Sequence, residues 1–473
     1  MLINENGVKG YMKNYTTDMT VGNPTRHIIL FALPALIGNI FQQVYNLADS
    51  MIVGRFVGPD ALAAVGATSS ITFLFFALCN GIGGGGGIIV SQYYGAHDDD
   101  NVKKSIINTG IIMLIVPLFF GIIGFISARS FLKILSTPEG ILNDAASYVR
   151  FMCVGLIFVS LYNYITSMLR ALGDSKSPLY FLILSAVINV LLDLLLVYVF
   201  SMGINGAAIA TIISQFIAAA SCGIYAYKKN PFFRFRKEDI VFVPDLSIKV
   251  VKLGVPLSLQ FGLIAISAMA VQRIVNGYGT VVVAAFTATN RIEQLIHQPY
   301  TTLSASIATF CGQNYGANKI DRVNSGYKKG LLIMVCLTVV MVVSMQLFGG
   351  AITSLFVSDP EIIALGAKGL QITSLFYLTL GLIYVVRGVL NGIGDAFFAL
   401  FNGIVEVIGR FTIPILMTKY MGMGAIGIWI STGVVWALSG STAWLRLLTN
   451  FTLKYRLSSF SKDKRQEAKV LTL

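Results

Sequence analysis

The chain has little charge. Asp, Glu, Lys and Arg make up 12% of its 473 residues, against about 25% in soluble domains, which excludes a water-solvated globule. Its three histidines, His27, His97 and His297, are far apart and offer no metal-ligand spacing. Five cysteines (Cys79, Cys153, Cys222, Cys311, Cys336) show no Cys-x-x-Cys and fall in or at the ends of apolar stretches. They read as small buried hydrophobes rather than as disulfides or ligands. No Gly-Lys-Ser or Gly-Lys-Thr follows the glycines at Gly81 and Gly83 to Gly87, so this run is no phosphate loop; it suits close helix packing or a hinge. Without a nucleotide motif, any transport must draw on an ion gradient. No catalytic constellation or cofactor motif stands out, so neither an enzyme nor a cofactor is expected. The opening 25 or so residues are polar, and no cleaved signal peptide is expected.

What is present is apolar. Hydrophobic residues make up 55% of the chain and its mean hydropathy is +0.74. Apolar runs of about 20 residues, enough to cross a hydrocarbon core of about 30 Å, recur throughout. The alternation of barrel strands is absent, so the spans are helices whose backbone groups pair internally. Twelve are expected: 28–53, 61–94, 105–127, 143–169, 178–200, 205–227, 250–276, 281–312, 328–349, 362–390, 396–418 and 425–450. The expected class is an all-α membrane protein. Pro34, Pro117, Pro256, Pro299 and Pro414 interrupt helical runs, and each frees a carbonyl and permits a bend.

The sequence also repeats itself. Leu169-Arg170-Ala171-Leu172-Gly173-Asp174 returns 221 residues later as Leu390-Asn391-Gly392-Ile393-Gly394-Asp395, and Gln92-Tyr93-Tyr94-Gly95-Ala96 as Gln313-Asn314-Tyr315-Gly316-Ala317. Leu33-Pro34 returns as Val255-Pro256 and Ile52-Val53 as Ile274-Val275. A repeated half in a membrane chain points to a transporter whose two bundles rock around a shared cleft. The expected organisation is a cytoplasmic segment at 1–27, a six-helix bundle at 28–227, a basic linker at 228–249, a second bundle at 250–450 and a basic tail at 451–473. Six spans per half place both repeats in one orientation, so their pseudo-twofold axis runs along the membrane normal.

Net charge is +13. The basic residues cluster in the stretch between the halves (Lys228, Lys229, Arg234, Arg236, Lys237, Lys249, Lys252), after span 8 (Lys319, Arg322, Lys328, Lys329) and in the tail. This is the bias of cytoplasmic loops, which places both termini inside. No aromatic-basic interleaving points to nucleic acid. A lipid bilayer is the expected partner, and the protein is expected to be a monomer.

Two carboxylates lie inside spans of the first half. Asp193, in Asn189-Val190-Leu191-Leu192-Asp193, would cost on the order of 2.5–3.5 kcal/mol facing lipid, so it must face a cavity or a partner. Asn189 shares its face one turn earlier. Asp49 follows Tyr45 by one turn on span 1. Spans 1 and 5 run the same way, so both carboxylates sit toward the outer end. Such a pair with neutral oxygens either carries a proton or cages a hard cation such as Na⁺. The bland reading remains open: a polar residue near a helix end, and a carboxylate neutralised by a structural partner. In the second half the matching positions fall near Val271 and near Arg410–Phe411. Arg273, Arg291, Glu293, Arg387, Glu406 and Arg410 stand in or at the ends of spans there. Glu406 and Arg410, four apart on one helix, can neutralise each other and read as mainly structural. The cation site is therefore expected in the first half alone.

Thr20-Val21-Gly22-Asn23-Pro24, Phe31-Ala32-Leu33-Pro34, Gln42-Gln43-Val44-Tyr45-Asn46-Leu47-Ala48-Asp49, Val53-Gly54-Arg55, Gly206-Ala207-Ala208 and the two Leu-…-Gly-Asp phrases resemble the multidrug and toxic compound extrusion (MATE) family. The resemblance runs from about residue 20 to 450, and is nearest to the prokaryotic branch with Asp in span 1 and Asn-x-x-x-Asp in span 5. It implies a V-shaped antiporter of the bacterial or archaeal cytoplasmic membrane, exporting small amphipathic, often cationic organic compounds against H⁺ or Na⁺ by alternating access. Asp49, Asn189 and Asp193 would form its site, with Thr211, Asn163 and Tyr148 as supporting oxygens and Tyr45 and Gln42 lining the cavity. Pro34 would serve as the hinge of span 1.

Two other functions stay in view. A lipid-linked saccharide flippase of the wider superfamily would be expected to line its cleft with cations, and often to carry extra spans. A channel or non-transporting scaffold would not need two buried carboxylates in one half of a duplicated bundle.

Overall fold

The computed structural model describes residues 16–135 and 137–470, so the expected N-terminal segment and basic tail lie partly outside the described residues. Helices α1 (Pro24–Phe56), α2 (Pro59–Gly95), α3 (Asp99–Ile134), α4 (Glu139–Ala171), α5 (Lys176–Asp193) and α6 (Gly203–Lys229) form the first half. Two short 3₁₀ turns in the linker, Pro231–Phe233 and Lys237–Asp239, lead to the second half. There follow α7 (Pro244–Asn276), α8 (Thr280–Gly316), α9 (Ile320–Thr353), α10 (Pro360–Ser374), α11 (Tyr377–Gly392), α12 (Ala396–Ile415) and α13 (Ile426–Val470).

Among the described residues ten helices are long and apolar enough to cross a membrane, and α10 with α11 forms an eleventh span bent by 51°. The twelfth, α8, is 37 residues long but carries Asn290, Arg291, Glu293, Gln294, His297 and Gln298 through its middle. Most helices outrun the apolar stretch that marked them; α3 starts at Asp99, not 105, because the side chain of Asp98 caps Asn101 N and polar turns continue beyond the apolar zone. Asn23 and Asp359 cap α1 and α10 in the same way ahead of Pro24 and Pro360, where proline loses no ladder bond.

Pro34, Pro117, Pro256, Pro299 and Pro414 all sit inside unbroken helices. The sharp break comes instead at Leu375–Phe376, where no proline stands. Leu375 N and Phe376 N bond three residues back, to Ile372 O and Thr373 O, at 3.3 and 3.0 Å, and Ser374 Oγ donates to Gln371 O at 2.8 Å. Tightened turns and hydroxyl back-bonding bend the helix.

The repeat extends to the backbone irregularities. Gly173 and Gly394 hold φ of 87° and 88°, and His97 and Asn318 both hold 57°. The helices of spans 5 and 11 each finish in a π-helical segment, Leu194–Val199 and Leu416–Tyr420. The two segments end 221 residues apart, at Val199 and Tyr420, which moves the second-half counterpart of Asp193 from the expected Arg410–Phe411 to Pro414. With Val271 opposite Asp49, both counterparts are apolar.

The two halves meet mainly through α2 with α7 and α8, and through α1 with α8. A Cβ on Gly85 would lie 2.6 Å from Gly254 N, and Gly81 packs on the backbone of Ser258; the glycine run is a packing surface. Ser258 Oγ donates to Leu78 O at 3.2 Å and Asn39 Nδ2 to Gln298 Oε1 at 3.1 Å. From there to the end that carries the linker, hydrogen bonds join the halves repeatedly. Gln92 Nε2 donates to Gly392 O at 2.9 Å, Gln313 Nε2 to Ala171 O at 3.1 Å and Ser306 Oγ to Ile28 O at 2.8 Å. The segment before α1 is stitched across the same seam. Thr17 N donates to Leu172 O at 3.1 Å and Met19 N to Gln313 Oε1 at 2.8 Å. Arg322 Nη2 and Nη1 donate to Met19 O and Gly22 O at 2.9 and 3.0 Å. Met19, Ile28 and Phe31 accordingly belong to the buried core of the second half. Among the described residues every hydrogen bond between the halves lies between mid-span and the linker end; the molecule is closed there.

The seam's centre is the repeated motif meeting itself: Gly95 lies against the carbonyl of Gln313, and Gly316 against that of Gln92. A side chain at either glycine must displace backbone. Gly95→Ala is expected to lower stability by about 1–3 kcal/mol, the cost of overpacking. Gly66→Ala, on the same helix but with open space around the added carbon, should raise it by up to about 1 kcal/mol. Thermal unfolding of the two purified variants beside the parent checks both signs.

Cys79, Cys153, Cys222 and Cys311 are buried and free, as expected, whereas Cys336 is exposed. It lies on the outer face of α9 among exposed Leu332, Val335 and Val339, a surface suited to lipid.

Candidate functional site

Helix periodicity builds the site from α1, α5 and α6. Gln42, Tyr45 and Asp49 recur every three to four residues and so share one face of α1. Asn189 and Asp193 do the same on α5. Asp193 is the last residue before the π-helical segment; such widened turns re-aim side chains and often mark functional positions.

Asp193 and Asn189 are 0% and 1% exposed, and Asp49 is half-buried. The carboxyl groups of Asp49 and Asp193 are near enough to interact electrostatically. Asn189 Nδ2 reaches Thr211 Oγ1 at 3.4 Å, and that hydroxyl donates to Ala207 O at 3.0 Å. Asp49 Oδ1, both carboxylate oxygens of Asp193 and Asn189 Oδ1 have no donor among the described residues. Two neighbouring carboxylates repel each other while both are ionised, and buried acceptors without donors are costly. The arrangement has room for a proton or for a small hard cation held by oxygens.

Of the other expected residues, Tyr45 and Tyr148 stand within electrostatic reach of both carboxylates, and Tyr148 is buried. Asn163 spends its Nδ2 on Val159 O of its own helix at 2.9 Å, and no bond links it to the carboxylate pair. Gln42 lies two turns below Asp49 on the shared face. Pro34 lies about four turns below Asp49, inside the continuous α1.

The second-half charges form a separate cluster. Arg410 Nη2 pairs with Glu406 Oε1 at 3.2 Å, and Arg387 Nη2 with Glu406 Oε2 at 3.8 Å. Arg387 also donates to Asn402 Oδ1 at 2.6 Å. With its amide oxygen turned to the guanidinium, Gln260 accepts from Nη1, Nε and Nη2 at 2.7, 2.8 and 2.9 Å. Asn402 in turn donates to Ser439 O and Thr442 Oγ1 at 2.9 and 3.2 Å. The Glu406–Arg410 pairing was readable from spacing, and Asn402 continues the same four-residue stripe. Gln260 carried no signal: one glutamine in an apolar span does not say which helix it faces.

The MatE family model matches residues 34–195 and 256–415. The probable multidrug resistance protein YpnP of Bacillus subtilis (strain 168) is 32% identical over 438 residues, covering 92% of this chain and 96% of that one. YoeA of the same organism, also named a probable multidrug resistance protein, is 29% identical over 422 residues, 88% and 91% of the two chains. Among solved structures, a MATE protein in its bent conformation superposes with a TM-score of 0.88 at 22% identity, covering 94% of this chain and all of that one. An outward-facing multidrug resistance MATE transporter of the MOP superfamily gives 0.87 at 22% identity over 93% and 99%.

Proposed function

The chain belongs to the MatE family, and from that premise we propose that it is a secondary antiporter exporting small amphipathic, often cationic organic compounds in exchange for H⁺ or Na⁺. The observation that carries the reading is the unpartnered oxygen set of Asp49, Asn189 and Asp193, brought together from two helices of one half. The two carboxylates carry two negative charges, and each proton or Na⁺ bound removes one, so the charge of the site changes within the cycle. Thr211, through Asn189, and Tyr45 and Tyr148 beside the carboxylates would shape its occupancy; Gln42 and Asn163 belong to the cavity around it. The names of the relatives support the substrate class.

Closure at one end supports alternating access. The linker end carries the basic residues, so it is assigned to the cytoplasm, with both termini inside and the cleft opening outward. Loss of carboxylate charge on ion binding weakens attraction for a cationic substrate and releases it to the outside. Pro34 is proposed as the point where α1 yields in that step. Purified protein in liposomes, loaded with a fluorescent organic cation, tests the reading. Efflux is expected under an imposed pH gradient or an imposed Na⁺ gradient, and whichever drives it names the ion. No response to either gradient would overturn the antiport.

A further inference from the structure

A cavity of about 820 Å³ opens at the linker end, well away from the carboxylate pair. Gln92, Tyr93, Lys249, Lys252, Tyr315 and Asn318 supply its polar lining. Its walls therefore come from both halves: α2 of the first, and α7 and the end of α8 of the second. Lys249 and Lys252 are one turn apart on α7, and neither ammonium pairs with a carboxylate among the described residues. The acid at the rim, Asp395, accepts from Arg446 Nε at 3.0 Å, so its charge is already met. Two unmatched positive charges face a polar hollow with tyrosine hydroxyls and side-chain amides around it. That is the chemistry of a phosphodiester.

The surroundings select a lipid over a free anion. Phe397, which lines the cavity, is 71% exposed, and Ile248, Val251 and Val255 stand exposed beside the two lysines on α7. An apolar surface thus runs from the cavity rim along the outside of the helix, where acyl chains lie. A headgroup held by the lysines leaves its tails on that surface without crossing water.

We propose that this cavity binds the phosphodiester headgroup of an anionic phospholipid from the leaflet at the linker end. The lipid touches both halves across the seam, so its binding favours the state closed at that end; this second part rests on the alternating-access reading, whereas the binding itself does not.

The full chain, purified and transferred to nanodiscs, tests the binding by mass spectrometry of retained phosphatidylglycerol against phosphatidylcholine. Selective retention of phosphatidylglycerol is expected. Lys249→Gln with Lys252→Gln should weaken it about 100-fold, the effect of losing two direct hydrogen bonds between charged groups. Lys228→Gln with Lys229→Gln, a pair at the end of α6 outside the cavity, should change it little. Equal loss in the two double variants would overturn the site in favour of diffuse attraction to the basic face. Displacement of the lipid by millimolar inorganic phosphate would reassign it to a free anion, and equal retention of the two lipids would remove it. The closed-state part is read from spin labels at residues 100 and 321, whose separation should lengthen in the Lys249/Lys252 variant in phosphatidylglycerol nanodiscs. An unchanged separation with binding lost would overturn that part alone, while efflux driven by an ion gradient tests the antiport separately.

Discussion

Asp193→Asn is expected to abolish ion-coupled efflux while leaving the protein folded in the membrane. The carboxylate is 0% exposed, both its oxygens lack a donor, and the acid it meets is Asp49. Asparagine keeps the shape but can neither take up the coupling proton nor offset a cation's charge. It also removes a buried charge of the kind that costs on the order of 2.5–3.5 kcal/mol in a membrane, so thermal stability should hold or rise. Asp49→Asn should act in the same direction with some residual activity, since Asp49 is half-buried and the cavity can supply water there. Dye efflux from proteoliposomes under an imposed gradient, with unfolding temperature measured on the same preparation, separates loss of coupling from loss of fold. Full efflux by the Asp193→Asn protein would sink the mechanism.

Glu406→Gln is expected to do the opposite: large damage to stability, with ion dependence kept. Glu406 lies between Arg387 and Arg410 at 3.8 and 3.2 Å, and its loss leaves two guanidinium groups facing each other away from water. Breaking a buried pair from one side costs about 3–5 kcal/mol. Glu406→Gln combined with Arg410→Gln should be milder, because Arg387 retains Asn402 and the Gln260 oxygen. Thermal unfolding in detergent gives the order of the three proteins. A double variant that folds but no longer responds to either ion gradient would move the cation site into the second half.

Much of this was legible in the sequence because a membrane simplifies the reading. Apolar length gives spans directly, and a carboxylate among leucines, as at Asp193, has few harmless explanations. Four-residue spacing placed Asn189 beside Asp193 and Glu406 beside Arg410. What stayed hidden depends on which helices touch. Gln260 meets Arg387 of α11 because α7 packs on α12, whose Asn402 and Glu406 hold that guanidinium, and Asn163 looked available although its amide bonds its own helix. Prolines drew attention as bends, yet the 51° break falls at Leu375–Phe376, where hydroxyl and 3₁₀ bonding accomplish it. Register was a further blind spot: the counterpart of Asp193 was expected near Arg410, whereas the π-helical segments, which end 221 residues apart, place it at Pro414.

The crossing of Gly95 with Gln313 and of Gly316 with Gln92 is one contact made twice, the pattern by which two identical subunits dimerise about a twofold axis. In terms of descent, a six-helix ancestor pairing with its own copy already possesses this seam, and fusion through a basic linker preserves it. After fusion the copies are free to part company wherever they do not touch. One carries the acids Asp49 and Asp193; the other has Val271 and Pro414 in their places and builds an arginine–glutamate–arginine cluster elsewhere. At the crossing neither copy has that freedom, because each glycine is held by the backbone of the other.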